Sequence, residues 1–155
     1  MTFWRKYRPI IFQVALALAA GGLATLLSGG QDLYQQLEKP PLSPPPWVFP
    51  VVWTILYVLM GVAAGLVAGS GDVHRQKAML RYYIQLSINV VWPMLFFRFE
   101  LLTVAAVWLA LLVVAVYVTR RWFGSISAAA GVLLLPYLLW CLFALYLNIG
   151  FVVLN

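Results

Sequence analysis

Long apolar runs separated by short charged stretches organise this chain. A helix that crosses a bilayer needs about 20 mostly apolar residues, and five segments reach or approach that length. They cover about residues 10–28, 47–68, 79–97, 101–119 and 126–154. The third is short between Arg81 and Arg98, and it spans if Arg81 carries its charge along its aliphatic stem to the interface. None of the runs alternates apolar and polar residues in the manner of a membrane β-barrel strand. The expected fold is an all-α integral membrane protein, a single domain over residues 1–155 built as a five-transmembrane-helix bundle. Residues 1–28 also admit a second reading as a signal peptide, with Arg5, Lys6 and Arg8 as its basic start.

Between the first two runs lies a loop, residues 29–46. Its second half, Glu38-Lys39-Pro40-Pro41-Leu42-Ser43-Pro44-Pro45-Pro46, holds five prolines in nine residues. Proline fixes φ and drives the residue before it towards extended backbone. Such a segment is stiff and non-helical. It is expected to lie over the mouth of the bundle as a lid or, equally, as a plain rigid connector.

Polar and aromatic residues recur at helical spacing inside three of the runs. Phe49, Trp53 and Tyr57 are four apart and share a face. Gln85, Asn89, Trp92 and Phe96 fall at i, i+4, i+7 and i+11, with Pro93 expected to kink that helix. Pro136, Trp140, Ala144 and Asn148 follow at steps of four. Hydrocarbon offers an amide no partner, so Gln85, Asn89 and Asn148 are expected to point into the bundle. Three such faces meeting beneath the proline segment would line an aromatic cavity suited to a flat apolar ligand. They also suit plain packing with the amides as interhelical glue, and the residues alone leave both readings open. Gly61, Gly65 and Gly69 form a double G-x-x-x-G, which marks either a homodimer face or close packing within the bundle.

Composition supports the membrane assignment. The 155 residues are 65% hydrophobic and 9% charged, with a mean hydropathy of +0.95; a soluble domain carries roughly a quarter charged residues. One cysteine and one histidine leave no disulfide and no metal cage. The net charge of +6 comes from basic residues at the ends of the runs, where anionic lipid is the simpler partner than nucleic acid. Arg5, Lys6, Arg8, Arg75, Lys77, Arg81, Arg120 and Arg121 fall on one predicted side, and only Lys39 and Arg98 on the other. This bias predicts a cytoplasmic N-terminus and an external C-terminus. The lack of an Arg/Ser-rich transit segment points to a bacterial cytoplasmic membrane. Phosphate-cradling loops, nucleophile–base sets and paired intramembrane carboxylates are all missing, which disfavours hydrolases and ion-coupled transporters.

Several blocks resemble a known family. Lys39-Pro40, Pro44-Pro45, Trp47-Val48-Phe49, Trp53 and Tyr57 are similar to the first-loop and second-helix signature of the translocator protein family, also called TspO/MBR, tryptophan-rich sensory protein or peripheral-type benzodiazepine receptor. Asn89-Val90-Val91-Trp92-Pro93 with Phe96 resembles its third-helix motif. Pro136-Tyr137-Leu138-Leu139-Trp140 with Ala144, Leu147 and Asn148 resembles its fifth-helix motif.

The resemblance implies a five-helix membrane receptor or sensor, usually a homodimer, that binds porphyrins (protoporphyrin IX, haem) and related hydrophobic ligands within the bundle. It implies no obligatory cofactor. By position, Trp53 and Asn89 would contact the ligand, Tyr57, Trp92, Phe96, Trp140, Ala144 and Asn148 would complete the wall, and Pro44, Pro45 and Trp47 would shape the lid. Two alternatives follow from the same resemblance: a light-dependent porphyrin-degrading enzyme, in which Trp140 would be the photochemical residue, or a porphyrin or sterol transporter. Many members carry a Trp where this chain has Leu42, and that departure weakens the enzyme reading. Animal members follow Leu-Asn with Tyr and a basic residue, whereas Leu147-Asn148 here precedes Ile149-Gly150, which removes the basis for sterol recognition at that place.

Overall fold

The computed structural model describes residues 2–30 and 32–155. It is all-helical, with no strand among the described residues. Helix α1 covers Thr2–Ser28, α2 Asp32–Gln36, α3 Val48–Ala68, α4 Arg75–Pro93, α5 Leu102–Ile126, α6 Ala128–Leu133 and α7 Leu135–Leu154; a π-helical turn, Met94–Arg98, extends α4. Among the described residues, four stretches are long and apolar enough to cross a membrane: Phe3–Ser28, Val48–Ala68, Leu102–Ile126 and the combined Ala128–Leu154. Helix α4 falls short of that standard because Arg75, Lys77 and Arg81 occupy its first two turns.

Three expected boundaries are corrected. Helix α1 starts eight residues before the expected residue 10, taking in the basic segment and Pro9. Helix α5 runs on to Ile126 rather than stopping at 119. The expected single helix over 126–154 is broken at Leu134. Pro136 causes that break: it has no N–H to donate and its ring crowds the preceding turn, so it sits in the first turn of a new helix, α7. The loop over 29–46 also contains the short helix α2, which the proline count did not suggest.

Helices α1 and α3 pack closely because glycines remove the side chains between them. A Cβ on Gly61 would stand 2.5 Å from Val14 Cα, and one on Gly65 would stand 2.3 Å from Ile10 Cα. Gly69 meets the Pro9 ring. The Gly61/Gly65/Gly69 face is therefore covered by α1 of the same chain and is not open to a second copy, so the suggested dimer contact there is corrected. This contact also places the end of α3 beside the start of α1. At the same end Arg81 lies over the Trp122 ring, 3.9 Å from its centroid, and Arg120 Nε donates to Gly131 O. The basic residues thus gather at one end of the bundle.

Two buried clusters fill the interior. The larger packs Tyr57, Tyr82, Tyr137, Phe123, Leu109 and Leu112 along the middle of the bundle. The smaller packs Tyr34, Phe96, Ala105, Leu147 and Phe151 beneath the proline segment. Polar ties fix the helices around them: Trp108 Nε1 donates to Ile88 O across α5 and α4, and Asn148 Nδ2 donates to Leu102 O across α7 and α5.

Candidate functional site

Between these clusters lies a cavity of about 270 Å3. Ligand pockets usually span roughly 300–1,000 Å3, so this one is small and a large ring system would have to displace side chains. Its wall is mainly apolar and aromatic. Helix α3 contributes Phe49, Trp53 and Tyr57, α4 and its π turn contribute Asn89, Trp92, Phe96 and Phe97, and α7 contributes Ala144, Leu147, Asn148 and Phe151. A π turn begins directly after Pro93, and Phe99 N bonds back to Met94 O at 3.0 Å. That wider turn sets the Phe96 and Phe97 rings side by side, 4.8 Å apart and steeply inclined.

The fourth wall comes from α1. Gly21, Ala24, Thr25 and Ser28 face the cavity. Their spacing of i, i+3, i+4, i+7 is a helical face of small residues, a signal present in the sequence but overlooked beside the aromatic stripes. A Cβ on Gly21 would meet the Tyr57 ring at 2.5 Å; the glycine makes room for that ring.

Asn89 is the hub of the buried polar chain. Tyr57 Oη donates to Asn89 Oδ1 at 2.6 Å. Asn89 Nδ2 donates to Tyr137 Oη at 2.7 Å, and Tyr137 Oη donates to Gln85 Oε1 at 2.7 Å. Both polar ends of Asn89 are thus already engaged by the protein. Trp92 Nε1 donates to Asn148 Oδ1 at 3.0 Å, so Asn148 joins α4, α5 and α7. These amides are interhelical ties that also border the cavity. Trp53 packs against Tyr57 with centroids 5.8 Å apart; it contributes ring area to the wall.

The proline segment closes one end. Tyr34 of α2 is buried, packs edge-on against Phe49 at 5.0 Å and Phe151 at 5.7 Å, and its hydroxyl donates to Pro44 O. Burial raises the Tyr34 phenol above its ordinary pKa, with the Ser43 hydroxyl pulling the other way. Helix α7 holds the segment from the other side. Tyr146 Oη donates to Pro41 O at 2.7 Å, Gly150 gives the Pro40 ring its space, and Asn155 bonds both the N–H and the C=O of Glu38. Pro44 is therefore part of a fixed strap, reached through Tyr34, which sequence reasoning missed. Pro45 and Trp47 lie outside the lining, and Trp47 is exposed at the start of α3.

Of the eight expected wall residues, Trp53, Tyr57, Asn89, Trp92, Phe96, Ala144 and Asn148 meet at the cavity. Trp140 does not, and is corrected. It lies in an outward groove with Val52, Ile55, Leu56, Leu59, Pro136, Leu139 and Phe143, and its ring stands 6.0 Å from that of the lining residue Phe49. The cause is helical precession: each step of four residues turns about 40° too far, so Pro136–Trp140 and Ala144–Asn148 end on different faces. Among the described lining residues the only ionisable side chains are the phenols of Tyr34 and Tyr57. The site offers shape, ring contact and a few dipoles rather than acid–base chemistry.

Comparison with known proteins agrees with this architecture. The model of the TspO/MBR family matches residues 10–154. The chain is 38% identical over 124 residues to a tryptophan-rich protein TspO of Chlorobaculum tepidum, covering 79% of this chain and 78% of the relative. It is 38% identical to a tryptophan-rich sensory protein of Cereibacter sphaeroides, covering 76% and 73%. It is 36% identical to the translocator protein of Homo sapiens, covering 77% and 72%.

Proposed function

The chain belongs to the TspO/MBR family and is an integral membrane protein, and on that premise we propose that it is a receptor or sensor that binds porphyrins such as protoporphyrin IX, haem and related flat hydrophobic ligands in the cavity beneath the strap. The observation that carries this reading is the convergence of Trp53, Trp92, Phe96 and Phe97 on one cavity. Aromatic faces give a planar ring system large contact area at little conformational cost. Saturable quenching of tryptophan emission by protoporphyrin IX in darkness tests it.

The finer membrane picture belongs to the same proposal. Helix α4 with its π turn is the fifth span: its polar residues Gln85 and Asn89 face inward, and Arg81 is drawn over Trp122 at the end of the bundle. The basic end faces the cytoplasm of a bacterial cell, following the positive-inside rule. A homodimer would use a surface other than the α1–α3 seam. The photochemical alternative has less support, because Leu42 is exposed on the strap and Trp140 stands outside the cavity. A transporter would need a path that the tethered strap does not supply in this state.

A further inference from the structure

At the basic end the chain reverses from α5 into α6 over two glycines. Ser127 is extended there, and its hydroxyl accepts from Ala130 N at 3.2 Å. A Cβ on Gly131 would stand 2.8 Å from Gly124 Cα, so the missing side chains let the two helices touch. Beside this contact is an open hollow of about 430 Å3, with Arg120, Arg121, Ser125, Ala128 and Val132 around it. Arg120 is half-buried and aimed by its Nε, which donates to Gly131 O at 3.0 Å. That bond leaves both of its Nη groups for an oxyanion. Arg121 beside it is exposed, whereas Arg75 and Arg81 donate to the backbone carbonyls of Ser70 and Lys77. Ser125 spends its proton on Trp122 O, so the guanidinium groups are the donors of the hollow. Among the described lining residues there is no carboxylate. Asp32, Glu38 and Glu100 belong to the strap end, and Asp72 accepts from His74 N at 2.7 Å.

We propose that this hollow seats the phosphate of an anionic phospholipid, held by Arg120 and Arg121. The planar guanidinium fork matches phosphate oxygens with paired, charge-assisted hydrogen bonds. Basic pockets between membrane helices select anionic headgroups by this chemistry. Val132 is exposed on the apolar stretch Ala128–Leu154, so a lipid anchored by its phosphate has apolar surface beside it for its chains. A free phosphate would gain the same two cations but not that surface. This site is separate from the cavity beneath the strap. It needs only the membrane placement of the chain and does not depend on the porphyrin reading.

The test uses the full-length protein in neutral detergent, with bound lipid counted by native mass spectrometry. Dioleoylphosphatidylglycerol and dioleoylphosphatidylcholine are titrated against the wild type, Arg120→Gln, Arg121→Gln, Ala128→Phe and Lys77→Gln. The wild type is expected to take up phosphatidylglycerol in preference to phosphatidylcholine. Arg120→Gln and Arg121→Gln are each expected to weaken that uptake about fivefold, the worth of one basic residue near an anionic lipid surface. Ala128→Phe keeps both charges, fills the hollow and is expected to weaken uptake as well. Lys77→Gln removes a charge elsewhere at the basic end and is expected to leave it unchanged. Arg121 is exposed, so its variant reads the site even if loss of the Gly131 bond unfolds Arg120→Gln. Equal uptake of the two lipids, or an equal loss in Lys77→Gln and Arg121→Gln, overturns the site in favour of diffuse surface charge. Displacement of the lipid by inorganic phosphate or glycerol 3-phosphate at matching concentration overturns the lipid as ligand and leaves a site for a free anion.

Discussion

Tyr57 and Asn89 are joined by a 2.6 Å hydrogen bond in the wall of the cavity, with the tyrosine as donor. Because Asn89 also donates to Tyr137, its amide is a structural tie before it is a ligand contact. Asn89→Ala would leave the buried Tyr57 hydroxyl without its partner, at about 1–3 kcal/mol, while the Tyr137 hydroxyl loses one bond and keeps its bond to Gln85. Tyr57→Phe removes one donor and is expected to cost less. Thermal unfolding in detergent reads the order. Unchanged stability in Asn89→Ala with lost ligand affinity would contradict the tie.

Gly65 tests the α1–α3 seam. A Cβ there would meet backbone atoms of Ile10, including Cα at 2.3 Å, and backbone does not yield as a flexible side chain does. Gly65→Ala is expected to destabilise the protein by about 1–3 kcal/mol, as overpacking does, without changing its oligomeric state. Light scattering of the detergent complex checks the second part. A dimer in the wild type that dissociates in Gly65→Ala with unchanged thermal stability would return these glycines to a dimer face.

The strap depends on Tyr34. Tyr34→Phe removes the donor to Pro44 O and is expected to cost about 1 kcal/mol, seen as faster hydrogen exchange over residues 38–46. The same tie is pH-sensitive. Burial raises the folded-state pKa of this phenol above the unfolded value of about 10. Its contribution is therefore complete below pH 10 and is lost as pH climbs through the folded value. Exchange that stays flat across that alkaline window in the wild type would exclude this role.

Leu42 has φ 70 and is exposed. A left-handed conformation costs an L-residue with a Cβ roughly 1–2 kcal/mol. Leu42→Gly is expected to raise thermal stability by up to about 1 kcal/mol, the remainder being offset by the freer unfolded chain. Leu42→Trp would place its indole outside the cavity, so light-driven loss of protoporphyrin IX should match the wild type. Faster loss in that variant would support the enzymatic alternative.

Much of this architecture is readable from residue pattern because hydrocarbon is an unforgiving solvent. The apolar runs mark the helices, and the inward turn of Gln85, Asn89 and Asn148 follows from having no partner in lipid. Long-range details are less readable. The strap is fixed by Tyr146, Gly150 and Asn155, more than 100 positions away in sequence for the Tyr146–Pro41 pair, and no local pattern announces such contacts. Trp140 shows the limit of periodicity: a step of four is close to one helical turn but not equal to it, and the error accumulates across three steps. The small-residue face of α1 was legible, yet it carries no side chain that draws attention to a site.

The most direct test of the cavity is a titration with protoporphyrin IX in darkness, read by tryptophan quenching, on the wild type, Ala144→Phe and Trp140→Phe. Ala144 is buried at the cavity wall, so a phenyl group there fills the space the ring system needs. Trp140 lies in the outer groove. The account predicts saturable quenching at micromolar ligand or below, weakened about tenfold or more (~1.4 kcal/mol) by Ala144→Phe, while Trp140→Phe keeps the wild-type affinity. Non-saturating quenching that is the same in all three proteins would mean partition into detergent, and would contradict a specific site in this cavity.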